Sequence, residues 1–233
     1  FANNNLGFIA CSNGQVLRTT DGGNTWNIIT TGAGGINDIF FADANTGYLS
    51  SSNNLYKTND GGLTWNPVST GATYPILRIF FVDANTGYLS VGGEGIYKTN
   101  NGGLTWNNTT TLNGLYDTFY AIYFTDANTG FIGGDLGKIN KTIDGGATWK
   151  NMRSGLGTEL FSVFATHKDT AYTGGYEGKI FKTENGGVTY FQQTNAFPSR
   201  INKIYFTSNN TGFACSDSGR ILKTIDGGEH WVL

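Results

Sequence analysis

The chain has 233 residues and a formal net charge of −2, with 14% charged residues, 14% aromatic residues and 35 glycines. Its length can bury the core of one all-β domain, whereas the small net charge and the lack of a basic block give no electrostatic footprint for nucleic acid or an anionic membrane. No apolar run approaches the roughly 18 residues of a membrane span, and the two cysteines neither require nor exclude an oxidising compartment.

In chain order, the sequence repeats one unit six times. An eight-residue segment, TTDGGNTW at residues 19–26, returns at residues 58–65, 99–106, 142–149, 183–190 and 224–231. A second segment, IFFADANTGYLS at residues 39–50, precedes the second copy, and related segments precede the later copies. A period of roughly 41 residues is typical of propeller blades and solenoid units.

Each unit predicts four short strands. Strand A is the IFF segment, strand B is TGYLS, strand C is GIYKT or a relative, and strand D begins at the aromatic residue that closes the eight-residue segment. These are short β-branched and aromatic runs between Gly, Asn and Asp turns, without useful helical periodicity. We therefore predict one all-β domain over residues 1–233, a β-propeller of four-stranded antiparallel blades that protects its sheet edges by radial repetition.

Six units predict six blades, and six units of a seven-bladed ring are the alternative. The first unit keeps little of strand A and Leu233 truncates the last strand D, so we expect an excerpt from a longer chain. Aligned on the B strands, Cys215 matches Ala10, and Cys11 is therefore offset by one residue onto the opposite face. Because opposite faces meet in a closed six-membered ring, we predict a Cys11–Cys215 contact that a disulfide could join. The alternative is two small apolar thiols that fill inner-strand positions.

The eight-residue segment is a hairpin turn in which each residue type has a structural role. Asp can fold back onto backbone N–H groups, the glycines admit positive φ, and the Trp buries a large surface and can donate its N–H to a backbone acceptor. Asn replaces Asp in two copies, which keeps an acceptor oxygen but removes the charge that a metal or an acid/base pair needs. The structural residues are Asp21, Asp60, Asn101, Asp144, Asn185 and Asp226, with Trp26, Trp65, Trp106, Trp149, Tyr190 and Trp231.

These residues resemble the Asp-box (bacterial neuraminidase, BNR) repeat, Ser/Thr-x-Asp-x-Gly-x-Thr-Trp, over essentially the whole chain. The fuller unit, with DANTGY, GxIxKT and DGGxTW, is most similar to the photosystem II stability/assembly factor-like propellers, a family that includes many secreted bacterial surface proteins. The resemblance implies the propeller fold but not an activity, because unrelated functions share the motif.

Catalytic chemistry finds little support in the sequence. A sialidase would imply three arginines gripping a carboxylate, but the chain has five in all and lacks the Arg-Ile-Pro phrase: Arg18, Arg78, Arg153, Arg200 and Arg220. A glycoside hydrolase needs two opposed carboxylates, which the B–C loops could supply from Glu94, Asp135, Glu177 or Asp217. His167 and His230 stand alone, so neither a metal site nor a cofactor is predicted.

Binding is expected on the side of the blades that carries the B–C and D–A loops. Those loops vary between repeats, whereas the boxes are nearly identical, and variable loops on a rigid scaffold carry recognition. The candidates for a protein or glycan ligand are Tyr74, Arg78, Tyr116, Asp117, Tyr176, Glu177, Phe197 and Arg200. A row of basic residues before the boxes is predicted to pack between blades, and docking of an acidic partner is its alternative: Arg18, Lys57, Lys98, Lys141, Lys182 and Lys223.

We therefore expect a non-enzymatic, secreted or cell-surface propeller, bacterial in type, that serves as a binding or structural module within a larger assembly. We expect it neither to bind nucleic acid nor to insert into a membrane. The alternatives are a glycoside hydrolase with loop carboxylates at the channel mouth, and an assembly factor of the photosystem type, which would need a contiguous basic patch.

Overall fold

A computed structural model describes residues 1–109, 117–152, 154–195 and 197–233. These residues form short β-strands and two 3₁₀ turns, Asp135–Gly137 and Tyr176–Gly178. The chain divides into two compact units, Phe1–Thr118 and Phe119–Leu233, which are described separately. Tyr116 and Arg153 lie outside the described residues.

Unit 1 contains three antiparallel sheets, called blades, in which sequence neighbours pair. Blade 1 has three strands: β1 (Gly7–Ala10), β2 (Gln15–Thr19) and β3 (Asn27–Thr30). Blade 2 has four: β4 (Asp38–Phe41), β5 (Gly47–Ser51), β6 (Asn54–Thr58) and β7 (Asn66–Val68). Blade 3 also has four: β8 (Ile76–Phe81), β9 (Gly87–Val91), β10 (Gly95–Thr99) and β11 (Asn107–Asn108).

Unit 2 repeats the pattern. Blade 4 has the strands β12 (Phe119–Phe124), β13 (Gly130–Gly134), β14 (Ile139–Thr142) and β15 (Lys150–Asn151). Blade 5 has β16 (Leu160–Ala165), β17 (Ala171–Gly175), β18 (Ile180–Thr183) and β19 (Phe191–Gln192). Blade 6 has β21 (Ile201–Phe206), β22 (Gly212–Ser216) and β23 (Ile221–Thr224), while β24 (His230–Trp231) pairs in parallel with β20 (Thr194–Asn195).

The prediction of an all-β, six-bladed propeller is confirmed. Blade 1 has three strands, which agrees with the missing strand A in its sequence. In blades 2 to 5 every residue of strand B is buried, because the strand is covered on both faces. Continuous burial explains why these strands read as apolar and small residues rather than as an alternating pattern.

Each unit has its own apolar core between its blades. In unit 1, one cluster joins blades 2 and 3 around Tyr48, Phe81 and Trp106, and another joins blades 1 and 2 around Val16 and Leu49. In unit 2, the two clusters lie between blades 4 and 5 and between blades 5 and 6. Stacked rings recur at these junctions, as in the Tyr48–Phe81 pair with centroids 4.2 Å apart.

The two cysteines are free thiols in the structure, so a disulfide between them is not formed there. Cys11 follows strand β1 and is half-buried, whereas Cys215 lies within β22 and is exposed. The offset read from the sequence alignment is therefore real, but the predicted contact stays a prediction because the residues belong to different units. Across the part of the chain that is described, no helix has the length and hydropathy to span a bilayer.

Candidate functional site

The Asp boxes are closed hydrogen-bonded turns. Asp144 Oδ1 accepts from the Thr142 hydroxyl at 2.7 Å and from the Thr148 N–H at 2.9 Å, while Oδ2 accepts from the Thr148 hydroxyl at 2.6 Å. Asn185 keeps the same frame, since its Oδ1 accepts from the Thr189 N–H at 2.9 Å and its amide donates to the Thr189 hydroxyl at 2.8 Å. The polar atoms of both side chains therefore form hydrogen bonds within their own turn.

The pKa values of the box carboxylates fit a structural role in the turn. Hydrogen bonds from the hydroxyl and N–H of Thr25 lower the pKa of Asp21 to about 2, and those of Thr148 lower the pKa of Asp144 to about 2. A general acid or base near neutral pH needs the opposite shift for a carboxyl group. The carboxylates of Asp21 and Asp144 are thus ionised at neutral pH, and their oxygens are engaged within their own turns.

The closing Trp differs from expectation. Only in the first box does its N–H bond a backbone carbonyl, from Trp26 Nε1 to Gly23 at 3.0 Å. In the other Trp boxes the indole nitrogen is buried without a hydrogen-bond partner among the described residues: Trp65, Trp106, Trp149 and Trp231. There the ring acts through packing, edge-on to a Phe of its own blade, as in the Phe81–Trp106 pair at 5.9 Å.

Residues of the basic row tie adjacent blades together. Arg18 Nε donates to the Gly61 carbonyl at 2.7 Å, and Lys57 Nζ donates to the Gly102 carbonyl at 2.8 Å, each in the box of the next blade. Lys141 Nζ likewise reaches the Gly186 carbonyl at 3.2 Å. These three heads cap carbonyls in the box of the next blade, which is the kind of contact that the packing interpretation of the row predicts.

Lys182 departs from this pattern. Its ammonium lies 2.8 Å from a carboxylate oxygen of Glu184 and 2.8 Å from one of Glu229. Burial lowers the pKa of Lys182, but the two carboxylates outweigh it and raise the pKa above its ordinary value. A crevice of about 430 Å³ opens beside it between blades 5 and 6, with His167 and Asn209 in its wall. The charge of Lys182 at this crevice is already paired with Glu184 and Glu229.

The loop side of the blades is the end opposite the boxes. There the B–C hairpin bonds to the connection that leads into strand A of the same blade, for example Gly92 N–H to the Pro75 carbonyl at 2.9 Å and Asp217 N–H to the Arg200 carbonyl at 3.2 Å. Loops that differ in sequence are therefore held against a regular frame, as a recognition surface requires.

The predicted ligand residues are divided between the two units. In unit 1, Tyr74 is 51% exposed, and Arg78 turns back to donate to the Leu77 carbonyl at 2.7 Å. In unit 2, Phe197 packs against the core and lies 4.7 Å beneath the guanidinium of Arg220. Asp117 is half-buried, and Tyr116 lies outside the described residues.

Tyr176 and Arg200, however, meet on the loop side of unit 2. The guanidinium carbon of Arg200 lies 4.7 Å from the ring centre of Phe161 and 6.0 Å from that of Tyr176. Phe161 packs edge-on against Tyr176 at 4.9 Å and lies 5.2 Å from Tyr120. We call these four residues, Tyr120, Phe161, Tyr176 and Arg200, the aromatic–arginine cluster.

A recurrent β-bulge positions the cluster. In blades 3 to 6 the pairing of strands A and B slips by one residue near the loop side, which leaves Leu77, Tyr120, Phe161 and Asn202 as the extra residues. A bulge re-aims a side chain that would otherwise follow the alternation of its strand. Tyr120, Phe161 and Asn202 thereby contribute to the loop side although they lie within strands.

Hydrogen bonds fix Arg200 in its stacked position. Its Nε donates to Asn202 Oδ1 at 2.9 Å and its Nη2 donates to Asp217 Oδ1 at 3.0 Å. Asn202 also donates to Asp217 at 2.7 Å, and the bonds from Asn202 and Arg200 hold the pKa of Asp217 below its usual range. The guanidinium keeps further N–H groups for a ligand, since Arg has five donors.

Sequence reasoning named Tyr176, Glu177, Arg200 and Asp217 but missed Tyr120, Phe161 and Asn202. The missed residues read as ordinary members of FYAIYF, LFSVFA and INKIYF. A signal was present in INKIYF, because its buried isoleucines, Ile201 and Ile204, are three residues apart at the bulge, where regular alternation requires two.

The carboxylates considered for glycoside hydrolysis are all engaged. Glu94 accepts from the N–H and hydroxyl of Thr73 and from the Tyr97 hydroxyl. The Tyr120 hydroxyl donates to Asp135, and burial together with this bond raises the pKa of Tyr120 to about 12. Glu177 pairs with Lys179 at 2.8 Å, which lowers the pKa of Glu177. Among the described residues no group of three or more His, Cys, Asp or Glu could hold a metal ion.

No protein-family model and no curated protein matches the sequence. Solved structures match its fold. A YCF48 bound to a D1 peptide superposes with a TM-score of 0.79 at 18% identity, over 99% of this chain and 77% of that one. YCF48 from Cyanidioschyzon merolae gives 0.76 at 16% identity, over 93% and 78%. The GH74 enzyme of Niastella koreensis gives 0.78 at 18%, over 98% of this chain but 44% of the enzyme.

The structural likeness agrees with the resemblance to assembly factor-like propellers at the level of fold. It also includes hydrolases, such as the GH74 xyloglucanase from Xanthomonas campestris, with a TM-score of 0.76 at 13% identity over 93% of this chain and 42% of the enzyme. At such identities the fold is shared, and function has to be argued from the site.

Proposed function

We propose that this chain is a non-enzymatic interaction module that binds a peptide segment of a protein partner at the aromatic–arginine cluster of unit 2. The observation that carries the proposal is the stack of Phe161, Tyr176 and Arg200, in which Tyr176 is 42% and the Arg200 side chain 34% exposed. Tyr and Arg are enriched among residues that dominate binding energy, and here they are held in place before a ligand arrives.

The chemistry of the cluster suits a polypeptide. Ring faces can bury aliphatic or proline side chains, while the remaining N–H groups of Arg200 can donate to peptide carbonyls. Because Asp217 and Asn202 already orient the guanidinium, little side-chain entropy is lost on binding. A structure of the same fold, YCF48, contains a D1 peptide, which supports a peptide as the class of ligand.

Selection from a displayed random-peptide library tests the proposal. We expect peptides that bind the chain to bind the Phe161→Ala and Tyr176→Ala variants at least about tenfold more weakly, as for central aromatic anchors. Phe191→Ala is the matched control, because Phe191 is 64% exposed in the same unit but lies on the outer strand β19. Equal binding by all three variants would place the ligand elsewhere.

A glycan is the second ligand class for the same surface, since exposed aromatic rings also stack on sugars. A glycan array probed with the same variants separates the two classes. Binding of a glycan that is lost in Phe161→Ala and Tyr176→Ala, without any selected peptide, would replace the protein partner by a carbohydrate.

Glycoside hydrolysis remains the alternative function, favoured by the GH74 enzymes of the same fold. The pKa values of Glu177 and Asp217 are lowered, which is opposite to the shift of a general acid, so we favour binding over catalysis. A panel of xyloglucan and other β-glucan substrates tests this point. Turnover that is abolished by Asp135→Asn or Glu94→Gln would contradict the proposal.

We further propose a secreted or cell-surface location, from the weakly charged surface rich in Thr, Asn and Gly. The assembly-factor alternative calls for a basic patch, whereas three residues of the basic row, Arg18, Lys57 and Lys141, donate to box carbonyls. Fractionation of the native host with an antibody against the chain tests the location, and a purely cytoplasmic signal would contradict it.

A further inference from the structure

The polar groups of the aromatic–arginine cluster determine which hydrogen bonds a peptide ligand has to supply. Arg200 is a donor only, and its Nε and Nη2 already donate to Asn202 and Asp217. The guanidinium has five N–H groups in all, so further donors remain for a ligand. A ligand that bonds Arg200 therefore needs oxygen acceptors that its own structure has not used.

The charges at and beside the cluster are balanced within the chain. The Arg200 guanidinium pairs with Asp217 at 3.0 Å, and the same carboxylate oxygen accepts from Asn202 at 2.7 Å. In the neighbouring loop, Glu177 pairs with Lys179 at 2.8 Å. These pairs weaken the attraction for an acidic or a basic peptide alike, so the charge balance favours an uncharged ligand.

The rings of the cluster form a corner rather than one flat platform. Phe161 lies 4.9 Å from Tyr176 with 83° between the ring planes, and 5.2 Å from Tyr120 with 30° between the planes. A corner of this kind suits compact and rigid apolar side chains. Proline is such a residue, because its ring loses no rotamer entropy when it is buried against aromatic faces.

Three backbone conformations are common among bound peptides, and they differ in what they offer to Arg200. The carbonyls of an α-helix are bonded within the helix. A strand added to a sheet needs alternating backbone donors and acceptors on its receptor, which a cluster of side chains does not provide. A polyproline II segment has no internal hydrogen bonds, its prolines carry no N–H, and its carbonyls are free to accept.

We propose that the ligand of the aromatic–arginine cluster is an uncharged, proline-rich segment in the polyproline II conformation, an inference that rests on the proposed peptide-binding function. Proline rings pack in the corner between Phe161 and Tyr176, and a backbone carbonyl of the segment accepts from Arg200. One turn of this helix spans three residues, or about 9 Å. Prolines three residues apart therefore reach both the Tyr120 and the Tyr176 ring, which lie on either side of Phe161.

Changes made in the peptide test the proposal without disturbing the fold. The full chain is used to select binders from two displayed libraries, one random and one with two prolines fixed three residues apart, and the best binder is synthesised. We expect replacement of either fixed proline by alanine to weaken binding at least about tenfold. N-methylation of the remaining backbone amides should change the affinity less than about threefold, because no peptide N–H is used. Titration calorimetry measures these affinities.

A substitution in the chain tests the hydrogen bond to Arg200. Arg200→Lys keeps the charge but removes the planar set of donors, and we expect it to bind the selected peptide at least about tenfold more weakly. Arg220→Lys is the matched control, because Arg220 also stacks on a ring, that of Phe197 at 4.7 Å, but lies outside the cluster. Equal binding by the two variants would overturn the assigned role of Arg200.

The outcomes separate this inference from the proposed function. Selected peptides that lack proline, or that lose affinity on N-methylation, would overturn the polyproline II ligand. If Phe161→Ala and Tyr176→Ala still weaken those peptides, a peptide site at the cluster stands. Selection of peptides rich in charged residues would overturn the uncharged ligand in the same way. If neither library yields a peptide that Phe161→Ala binds more weakly, the result contradicts the proposed function itself.

Discussion

The side chain at the third position of each box holds its turn through two atoms, and the copies show that charge is dispensable there. Asp144 uses two carboxylate oxygens, whereas Asn185 uses one oxygen and one amide nitrogen and turns the Thr hydroxyl around to accept. The sequence comparison of Asp with Asn favours a structural role over a catalytic one, because both residues keep the acceptor that the turn needs.

Substitution of Asp144 separates the turn from the charge. We expect Asp144→Asn to leave the Tm nearly unchanged and Asp144→Ala to lower it by about 2–4 °C, the effect of losing one capping side chain in a chain of this size. Differential scanning calorimetry of the two variants measures the difference. A loss in Asp144→Asn as large as that in Asp144→Ala would mean that the amide cannot replace the carboxylate in this turn.

Acid should weaken the fold through these same carboxylates. The pKa of Asp144 lies at about 2 in the folded chain, below its usual value of 3.8. A lowered pKa contributes stability that is fully present above the unfolded value and is lost as the pH falls through the folded one. Urea unfolding should therefore show stability falling between about pH 4 and pH 2, with a shallower fall in Asp144→Asn. A pH-independent midpoint across this range would be incompatible with the lowered pKa.

At the scale of the element, glycines in strand B of one blade leave space for side chains from strand A of the next blade. Gly174 in β17 leaves room for Ile201, and Gly133 in β13 leaves room for Val163, whose methyl group would lie 2.9 Å from an added Cβ. A substitution in one blade therefore displaces the strand A of its neighbour.

Gly174→Ala should destabilise blade 6 as well as blade 5. Overpacking of this kind costs about 1–3 kcal/mol, and we expect a lower Tm together with faster amide exchange in β21 and β22. Gly92→Ala is the control, because an added Cβ there finds its nearest atom at 3.7 Å. Faster amide exchange that is confined to β17 would indicate that a substitution in one blade does not destabilise its neighbour.

The regular parts of these elements could be predicted from the sequence, since the repeats placed strands A to D and the boxes within a residue or two. The candidate site could be predicted only in part. Tyr176 and Arg200 lie in visibly variable loops, whereas Phe161 reaches the same place through a bulge that depends on how strands A and B pair. Pairing register is a property of two strands together, and a single strand does not reveal it.

At the scale of the whole molecule, the two units each bury their own core. The clusters of unit 2 consist of its own residues, from Ala121 to Trp231, and those of unit 1 likewise belong to unit 1. Repeat architectures gain stability from neighbouring units, so three packed blades can suffice for a folded fragment.

Residues 119–233, expressed alone, should therefore fold and retain peptide binding. The aromatic–arginine cluster lies wholly within this range, so the fragment should bind a selected peptide within about threefold of the full chain, a difference below 1 kcal/mol. Circular dichroism and titration calorimetry measure the two properties. A fragment that unfolds without cooperativity would show that the units depend on one another.

The β-bulge has a consequence for how such a surface can change over evolutionary time. It sets one residue of strand A aside from the core packing in each of blades 3 to 6, and the occupants are already as different as Leu77, Tyr120, Phe161 and Asn202. New binding specificities can thus arise by single substitutions that leave the packing of the core unchanged. A combinatorial library restricted to these four positions would sample ligands while sparing the hydrophobic interior.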